Sequence, residues 1–469
     1  MLSSPEAGLA ETETGVAIDD RALGRWTGTQ IYALVLLTLL NVSNYLDRGV
    51  LGILQEPMKH DMQLQDWQLG ILSGAAFAVF YSLAGVPAAR IADRSNRVTL
   101  ISIALSVWSV MTMVCGLAAN FSHLVLARFG VGAAEGACTP TSHSLVSDLF
   151  PPKQRGLALS LITASIPISK VLAPIVGGVV GARYGWRAAF LVVGAPGLVL
   201  AAVMWLSMKE PRHGPHGVPT RLPGRFVPDM RLLLGNRPFM WLFVASAFLS
   251  MGLVSTDFFT ASFFLRSYHL SLTQAGVVLA AGPGVAGLIA TFVGGYIADR
   301  YAGNYGRSYP YVCGIGAIVA GASFLIAFES HSWSLAIVML LVANFFLNLK
   351  NGPNFAAAQN MAPLHMRATA SAVLMIAVIV IGAGIGPLAT GWASDLAAAR
   401  QFPAGLGIFA MACPGGKASL NAAPALIKAC ADTSAAGLRI GLLVPCAAFF
   451  CAAFSFWRSG RTIREQLER

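Results

Sequence analysis

The chain has 469 residues, of which 56% are hydrophobic and only 11% are charged, whereas soluble domains carry about 25% charged residues. This composition excludes an ordinary soluble protein and predicts a membrane protein. The formal net charge of +11 requires no nucleic-acid partner, because most Lys and Arg of the loops fall on the side of the two termini, which the positive-inside rule makes cytoplasmic.

Apolar runs long enough to cross a hydrocarbon core, roughly 20 residues of helix each, recur along the whole chain. They predict an all-α polytopic membrane protein with twelve transmembrane helices in two pseudo-symmetric six-helix bundles. The predicted spans are 31–54, 66–89, 97–119, 121–148, 156–182, 185–207, 237–265, 272–297, 309–328, 332–360, 368–398 and 437–457.

A loop rich in Pro, Gly and Arg, "KEPRHGPHGVPTRLPGRFVPDMRLLLGNRP", separates the two predicted bundles. It reads as a linker rather than as part of a packed element. The predicted parts are a cytoplasmic tail (1–28), a first bundle (29–208), a cytoplasmic linker (209–236), a second bundle (237–458) with an extracytoplasmic loop (399–436), and a cytoplasmic tail (459–469).

Charged side chains interrupt the first and fourth spans, although a charge at the bilayer centre costs about 2.5–3.5 kcal/mol on insertion scales. Asp47 and Arg48 lie in the first span, and Arg128 and Glu135 lie in the fourth. At 1.5 Å of rise per residue, Asp47 and Arg128 reach a similar depth, so we expect them to face one another across a central cavity. We interpret Asp47 and Glu135 as proton-coupling residues and both arginines as substrate-binding residues. The alternative is a permanent salt bridge that fixes the helix register.

Further polar residues in the spans extend the predicted substrate site. Basic residues outnumber acidic ones inside the spans, which suits an anionic headgroup, while the apolar remainder suits a hydrophobic tail. The additional substrate-binding residues that we predict are Lys170, Asp257, Asn344, Asn348 and Lys350.

Several motifs recur in the same order, roughly 210 residues apart, which is typical of the duplicated bundles of secondary transporters. "IADR" at 91–94 returns at 297–300. The stretch "GVPAARIADRSNR" at 85–97 resembles the signature loop of the major facilitator superfamily, which in that family latches the inner gate. The resemblance implies a cytoplasmic gate formed by Gly85, Asp93, Arg94, Arg97, Asp299 and Arg300.

The segments "NYLDRGVLG", "RFGVGAAEGACTPTSHSLVSDLFPPKQRG" and "NGPNFAAAQNMAPLHMRATASA" resemble the spinster family of this superfamily. The resemblance implies proton-linked, rocker-switch transport of lysophospholipids or of lipids like sphingosine-1-phosphate. The compact length looks like that of a bacterial member, which would be a monomer of the inner membrane. Its partners would be protons, membrane lipids and a lipid or small-molecule substrate. The organic-anion and carboxylate symporters of the superfamily show similar motifs and remain the alternative.

The extracytoplasmic loop carries Cys413 and Cys430, where an oxidising compartment would permit a disulfide bond. An intramembrane enzyme would need a nucleophile with a positioned base, or a metal cluster. Ser142, His143 and Ser144 are adjacent but lie in a predicted helix, and no His or Cys spacing suits a metal. We therefore expect neither enzymatic activity nor a metal or other cofactor. A sensor with a transporter fold is a further alternative, which measurable flux would exclude.

Overall fold

The computed structural model describes residues 26–211, 226–301, 308–363, 366–419 and 421–467. Within these ranges all regular secondary structure is helical. Nearly all of the predicted amino-terminal tail and positions 212–225 of the predicted linker lie outside them. The rest of that linker contains a short helix, Phe226–Gly235.

The first half consists of six membrane-crossing helices, several of them built from consecutive segments. They are α1, Gly28–Asp61; α2, Asp66–Gly70, Ile71–Ala75 and Ala76–Arg94; α3, Arg97–Gly116; α4, Phe121–Glu135 and Cys138–Leu149; and α5 and α6, formed by Pro152–Thr163 and by Ser165–Ser207. The boundary between α5 and α6 is Gly185, whose φ of +84° breaks the helical backbone.

The second half repeats this plan. Its helices are α7, Arg237–Ser267; α8, Leu272–Leu279, Ala280–Ala286 and Gly287–Tyr301; α9, Ser308–Glu329; α10, Trp333–Asn348 and Asn351–Asn360; α11, Arg367–Ile376, Ala377–Ala383 and Gly384–Gln401; and α12, Pro424–Gly441 and Leu443–Leu467. Short helical turns, Ala404–Leu406, Phe409–Ala412 and Pro414–Gly416, fold the connection from α11 to α12.

Ten helical segments of the described chain are long and apolar enough to cross a membrane. One of them, 157–207, covers both α5 and α6 and counts as two helices, because the break at Gly185 divides it. The charged α4, Phe121–Glu135 continued by Cys138–Leu149, is absent from this set of apolar segments. With these two points included, the predicted arrangement of twelve helices in two bundles is confirmed.

The two halves meet along two seams, α2 against α11 and α5 against α8, where glycines bring backbones together. A Cβ added at Gly74 would lie 2.6 Å from the carbonyl oxygen of Ala383, and one at Gly178 would lie 3.0 Å from that of Leu272. Three of these four helices, α2, α8 and α11, contain a π-helical stretch near the seam. Such stretches often mark functional positions, and no sequence pattern predicted them here.

Enlarging Gly391 on α11 should disrupt a close backbone contact between the halves. An added Cβ would meet the backbone of Asp66 and would lie 2.8 Å from the amide nitrogen of Trp67, so neither neighbour can yield by rotating a side chain. We expect Gly391→Ala to destabilise the packed seam by about 1–3 kcal/mol, the usual cost of overpacking. A lower melting temperature of the purified protein would show this, whereas Gly405→Ala, with open space around it, should leave the melting temperature unchanged.

Candidate functional site

We call the membrane side on which α1 begins and α12 ends the terminal face, and the opposite side, which carries the folded connection from α11 to α12, the loop face. Halfway between the faces, Arg48 of α1 forms an ion pair with Glu135 of α4, and its Nη2 and Nε lie 2.6 and 2.8 Å from Glu135 Oε2. The guanidinium lies over the rings of Phe77, Tyr81 and Tyr45, at 4.3, 5.0 and 5.2 Å from their centroids. Glu135 is fully buried, whereas 23% of the Arg48 side chain is exposed.

Asp47 and Arg128 are buried beside this pair without contacting one another. Asp47 accepts a hydrogen bond from the Thr112 hydroxyl, and its other oxygen has no hydrogen-bond partner in the described structure. Arg128 donates from Nε to the Leu72 carbonyl at 3.3 Å. Asp47 and Arg128, which we expected to face one another, thus each have a different partner, while Arg48 pairs with Glu135. The Leu72 carbonyl that accepts from Arg128 lies in the π-helical stretch of α2.

A second group of charges lies where the two halves meet. Lys170 of α5 and Asp257 of α7 form an ion pair, with Lys170 Nζ 2.8 Å from Asp257 Oδ2. About a quarter of each side chain is exposed. Lys350, at the break in α10, donates to the side-chain oxygen of Asn351 at 3.3 Å and interacts electrostatically with both Lys170 and Asp257. The structure therefore brings these three predicted residues together.

The two predicted asparagines lie apart from these charges, between α10 and α8. Asn344 donates to the Leu340 carbonyl and Asn348 to the Asn344 carbonyl, at 2.9 and 2.8 Å. Both residues are buried. Asn348 also accepts from Asn351 at 3.2 Å. These hydrogen bonds stay within α10, in the turns around Lys350. The asparagines thus pack behind the charged group and, in the described structure, form no hydrogen bond with its charged side chains.

On the terminal face, the predicted gate is described in part. Arg97 is fully buried and pairs with Asp148 at 2.7 Å and with Glu210 at 2.6 Å. It thereby fixes the start of α3 to α4 and to the chain that follows α6. Gly85 packs α2 against α4, since an added Cβ would lie 3.5 Å from the Gly136 carbonyl oxygen. Arg300 is exposed.

The side chains of Asp93, Arg94 and Asp299, the remaining predicted gate residues, lie outside the described residues. Their contacts across the terminal face stay a prediction.

On the loop face, buried charges join the two halves. Arg266 of α7 donates from Nε to both carboxylate oxygens of Glu56, at 2.9 Å each, and from its two terminal nitrogens to Asp66 at 2.8 and 2.7 Å. Lys59 Nζ lies 2.6 Å from the same Asp66 carboxylate. All four side chains are less than a tenth exposed.

Helix α11 adds a further contact to this group. Asp395 accepts hydrogen bonds from the backbone amides of Asp66 and Trp67, at 3.1 and 2.8 Å, and so caps the first turn of α2 from the other half of the molecule. A carboxylate is favourable at this position because the first amides of a helix lack partners within it. We call Glu56, Lys59, Asp66, Arg266 and Asp395 the loop-face latch. The latch therefore joins the two halves on the loop face.

The connection from α11 to α12 covers the latch. Cys413 and Cys430 are bonded in a disulfide, as the sequence permits. Between them, the Gly415 carbonyl oxygen lies 2.9 Å from His60 Nδ1 at the end of α1. Gly415 has a φ of +64°, a conformation that favours glycine. A segment of the second half thus rests directly on the first.

The latch was missed in the sequence because Lys59 and Arg266 look like ordinary loop charges next to predicted spans. One signal was present: Glu56 and Arg266 are 210 positions apart, the offset that also relates Asp47 to Asp257. Opposite charges at equivalent positions of the two halves therefore offered a hypothesis of an ion pair between the halves.

The sequence and the fold of this chain are similar to those of known membrane transporters. The sequence profile of the Major Facilitator Superfamily matches residues 37–387. An MFS-type efflux pump of Mycolicibacterium smegmatis is 30% identical over 84% of this chain and 89% of its own. A hexuronate transporter of Bacillus subtilis is 24% identical over 80% and 92%. The sphingosine-1-phosphate transporter SPNS2 of Danio rerio is 25% identical over 68% of each chain. These relatives are transporters and not enzymes, which confirms that prediction.

Among solved structures, a bacterial homologue of the human lysosomal transporter Spinster, in an inward-facing and unoccupied conformation, superposes with a TM-score of 0.84. It is 28% identical and covers 94% of this chain and 99% of its own. The match confirms the predicted resemblance to the spinster family. The chain belongs to the Major Facilitator Superfamily of membrane transporters.

Proposed function

We propose that this protein is a proton-coupled transporter of an anionic amphiphile, a lysophospholipid or a lipid like sphingosine-1-phosphate. It works as a monomer in the bacterial inner membrane, with the terminal face toward the cytoplasm. The proposal rests chiefly on one observation: the cations that can be reached in the middle of the membrane, Arg48 and Lys170, are each paired with a carboxylate. An anion that binds to either of these two cations competes with its carboxylate.

Competition of this kind couples substrate to protons. Asp47 is buried with one oxygen unpartnered, and a proton on it removes a charge that the bilayer interior disfavours. A proton on Glu135 releases Arg48 for the substrate headgroup. Arg128 contributes positive charge beside Arg48, Lys170 contributes it from α5 of the same half, and Lys350 contributes it from the other half. Because substrate and proton favour different states of one charge network, each shifts the populations available to the other.

Alternating access then follows from two gates. Opening the loop face requires separation of the latch, while closing the terminal face brings together the ends of α2 and α8. We assign that second closure to Gly85, Asp93, Arg94, Arg97, Asp299 and Arg300. The two six-helix halves move as bodies about the central charges, as inverted and parallel repeats allow.

The test is transport by the purified protein in liposomes, with labelled lysophosphatidylglycerol, sphingosine-1-phosphate and glucuronate, with and without an imposed proton gradient. The proposal predicts lipid flux that the gradient accelerates. Absence of any lipid flux, with the protein folded and correctly inserted, would refute it.

A second candidate is a proton symporter of small organic anions. The similarity to the hexuronate transporter of Bacillus subtilis favours it, and the same central cations would bind a carboxylate. Gradient-driven uptake of glucuronate without movement of either lipid would select this function over the first.

A further inference from the structure

The two groups of central charges differ in balance. Asp47, Arg48, Arg128 and Glu135 carry two positive and two negative charges. Lys170, Lys350 and Asp257, by contrast, carry two positive charges and one negative charge. In the described part of the chain Lys350 has no carboxylate within ion-pair distance. An uncompensated charge inside a membrane normally faces a binding site or a pathway, so the excess positive charge marks the place for an anion.

The same place is also accessible, about as much as Arg48, whose side chain is 23% exposed. Lys170 and Asp257 are 25% and 27% exposed, whereas Arg128 is only 2% exposed. Neither Lys170 nor Asp257 has a second hydrogen-bond partner among the described residues. The pair also joins the two halves, because Lys170 belongs to α5 of the first half and Asp257 to α7 of the second. An incoming anion can therefore reach Lys170 without first unpacking a helix.

We propose that Asp257 is a built-in competitor of the substrate: its carboxylate occupies the Lys170 end of an anion site that Lys170 and Lys350 form together. This inference rests on the proposed function, in either of its two forms, and specifies where the headgroup binds. With Asp257 ionised, the site has one positive charge in excess and matches a singly charged headgroup. Asp257 thereby sets the charge of the anion that the site accepts, since specificity is a difference of affinities.

The experiment compares two lipids that share an acyl tail, the singly charged phosphodiester lysophosphatidylglycerol and the phosphomonoester lysophosphatidate, whose charge approaches −2 at neutral pH. Equilibrium binding is measured on wild-type protein and on the Asp257→Asn and Lys170→Gln variants. Both substitutions break the same ion pair. We expect Asp257→Asn to bind lysophosphatidate about tenfold more tightly and lysophosphatidylglycerol about threefold more tightly, and Lys170→Gln to bind both more weakly by similar factors.

Opposite directions are the decisive feature. If Asp257 were only a tether between the halves, both substitutions would move the affinity in the same direction, and that result would overturn the inference. Thr273→Val is the matched control: Thr273 donates to the Gly178 carbonyl across the α5–α8 seam at 3.4 Å and does not touch the charges, so its affinity for both lipids should equal that of the wild type.

The same binding experiment distinguishes failure of the inference from failure of the proposed function. Should the wild type bind only small organic anions, glucuronate and the doubly charged glucarate replace the two lipids, with the same expected directions. Binding of neither pair by the wild type would refute the proposed function, and the inference with it. Binding by the wild type with equal responses of the two variants would leave the function standing and refute the inference alone.

Discussion

Replacing Asp47 by asparagine should abolish the response of transport to a proton gradient. The side chain is 2% exposed and receives one hydrogen bond, from Thr112, so asparagine fits the space but takes up no proton. A gradient of one pH unit supports up to about tenfold accumulation when one proton is coupled, because each factor of ten corresponds to about 1.4 kcal/mol. We expect the variant to equilibrate the substrate without accumulating it, as measured by uptake into liposomes at several external pH values.

The control for this experiment is Asp61→Asn. Asp61 ends the same helix, pairs with Arg187 and is nearly half exposed, so its removal should leave accumulation intact. The opposing interpretation, a permanent ion network that fixes the helix register, predicts that Asp47→Asn lowers the melting temperature and leaves the pH response in place. Observing that pattern would remove Asp47 from the coupling mechanism.

Replacing Arg266 by glutamine should open the loop face. Arg266 holds Glu56 and Asp66 at once, and loss of one partner from a buried ion pair typically costs about 3–5 kcal/mol, since a buried charge is left uncompensated. The cost falls on the conformation in which the latch is closed. We expect Ser73→Cys, a buried position on α2, to become reactive toward a membrane-impermeant thiol reagent in the Arg266→Gln background, with transport much reduced.

Arg187→Gln serves as the matched control for this change. It removes another ion pair on the loop face, between Arg187 and Asp61. Their side chains are 45% and 46% exposed, and both residues belong to the first half. Exposed pairs contribute about 0–1 kcal/mol, so reactivity at Ser73→Cys should stay low. An unreactive cysteine in the Arg266→Gln protein would mean that the latch does not hold the loop face closed.

Much of the fold was predictable because membrane spans leave a strong apolar signal. Helix ends were less predictable. The first span was predicted at 31–54, whereas α1 covers Gly28–Asp61. Polar residues near the end of α1 are buried in ion pairs within the protein and do not face lipid. The predicted loop 399–436 likewise contains the start of α12 at Pro424. Polarity alone does not tell a solvated loop from a helix that carries a buried charge network.

The central charges were predictable for a related reason, because any charge in an apolar run demands an explanation. Which of these charges pair with one another was not predictable. Depth along a helix brings Asp47 and Arg128 to one level, but the choice of Arg48 for Glu135 depends on the rotation of the helices and on the carbonyl that α2 offers to Arg128. Tertiary packing decides which side chains pair. The helical periodicity of the sequence, about 3.6 residues per turn, does not predict that packing.

The most direct test of the central claim is to measure proton movement itself. A pH indicator is trapped inside liposomes that contain the purified protein, no gradient is imposed, and a concentration gradient of the transported anion is applied. Proton coupling predicts that the anion gradient alone changes the internal pH in the wild type and leaves it unchanged in Asp47→Asn. Substrate flux through the wild type with no change of internal pH, once leak of the lipid bilayer is subtracted, would contradict the account.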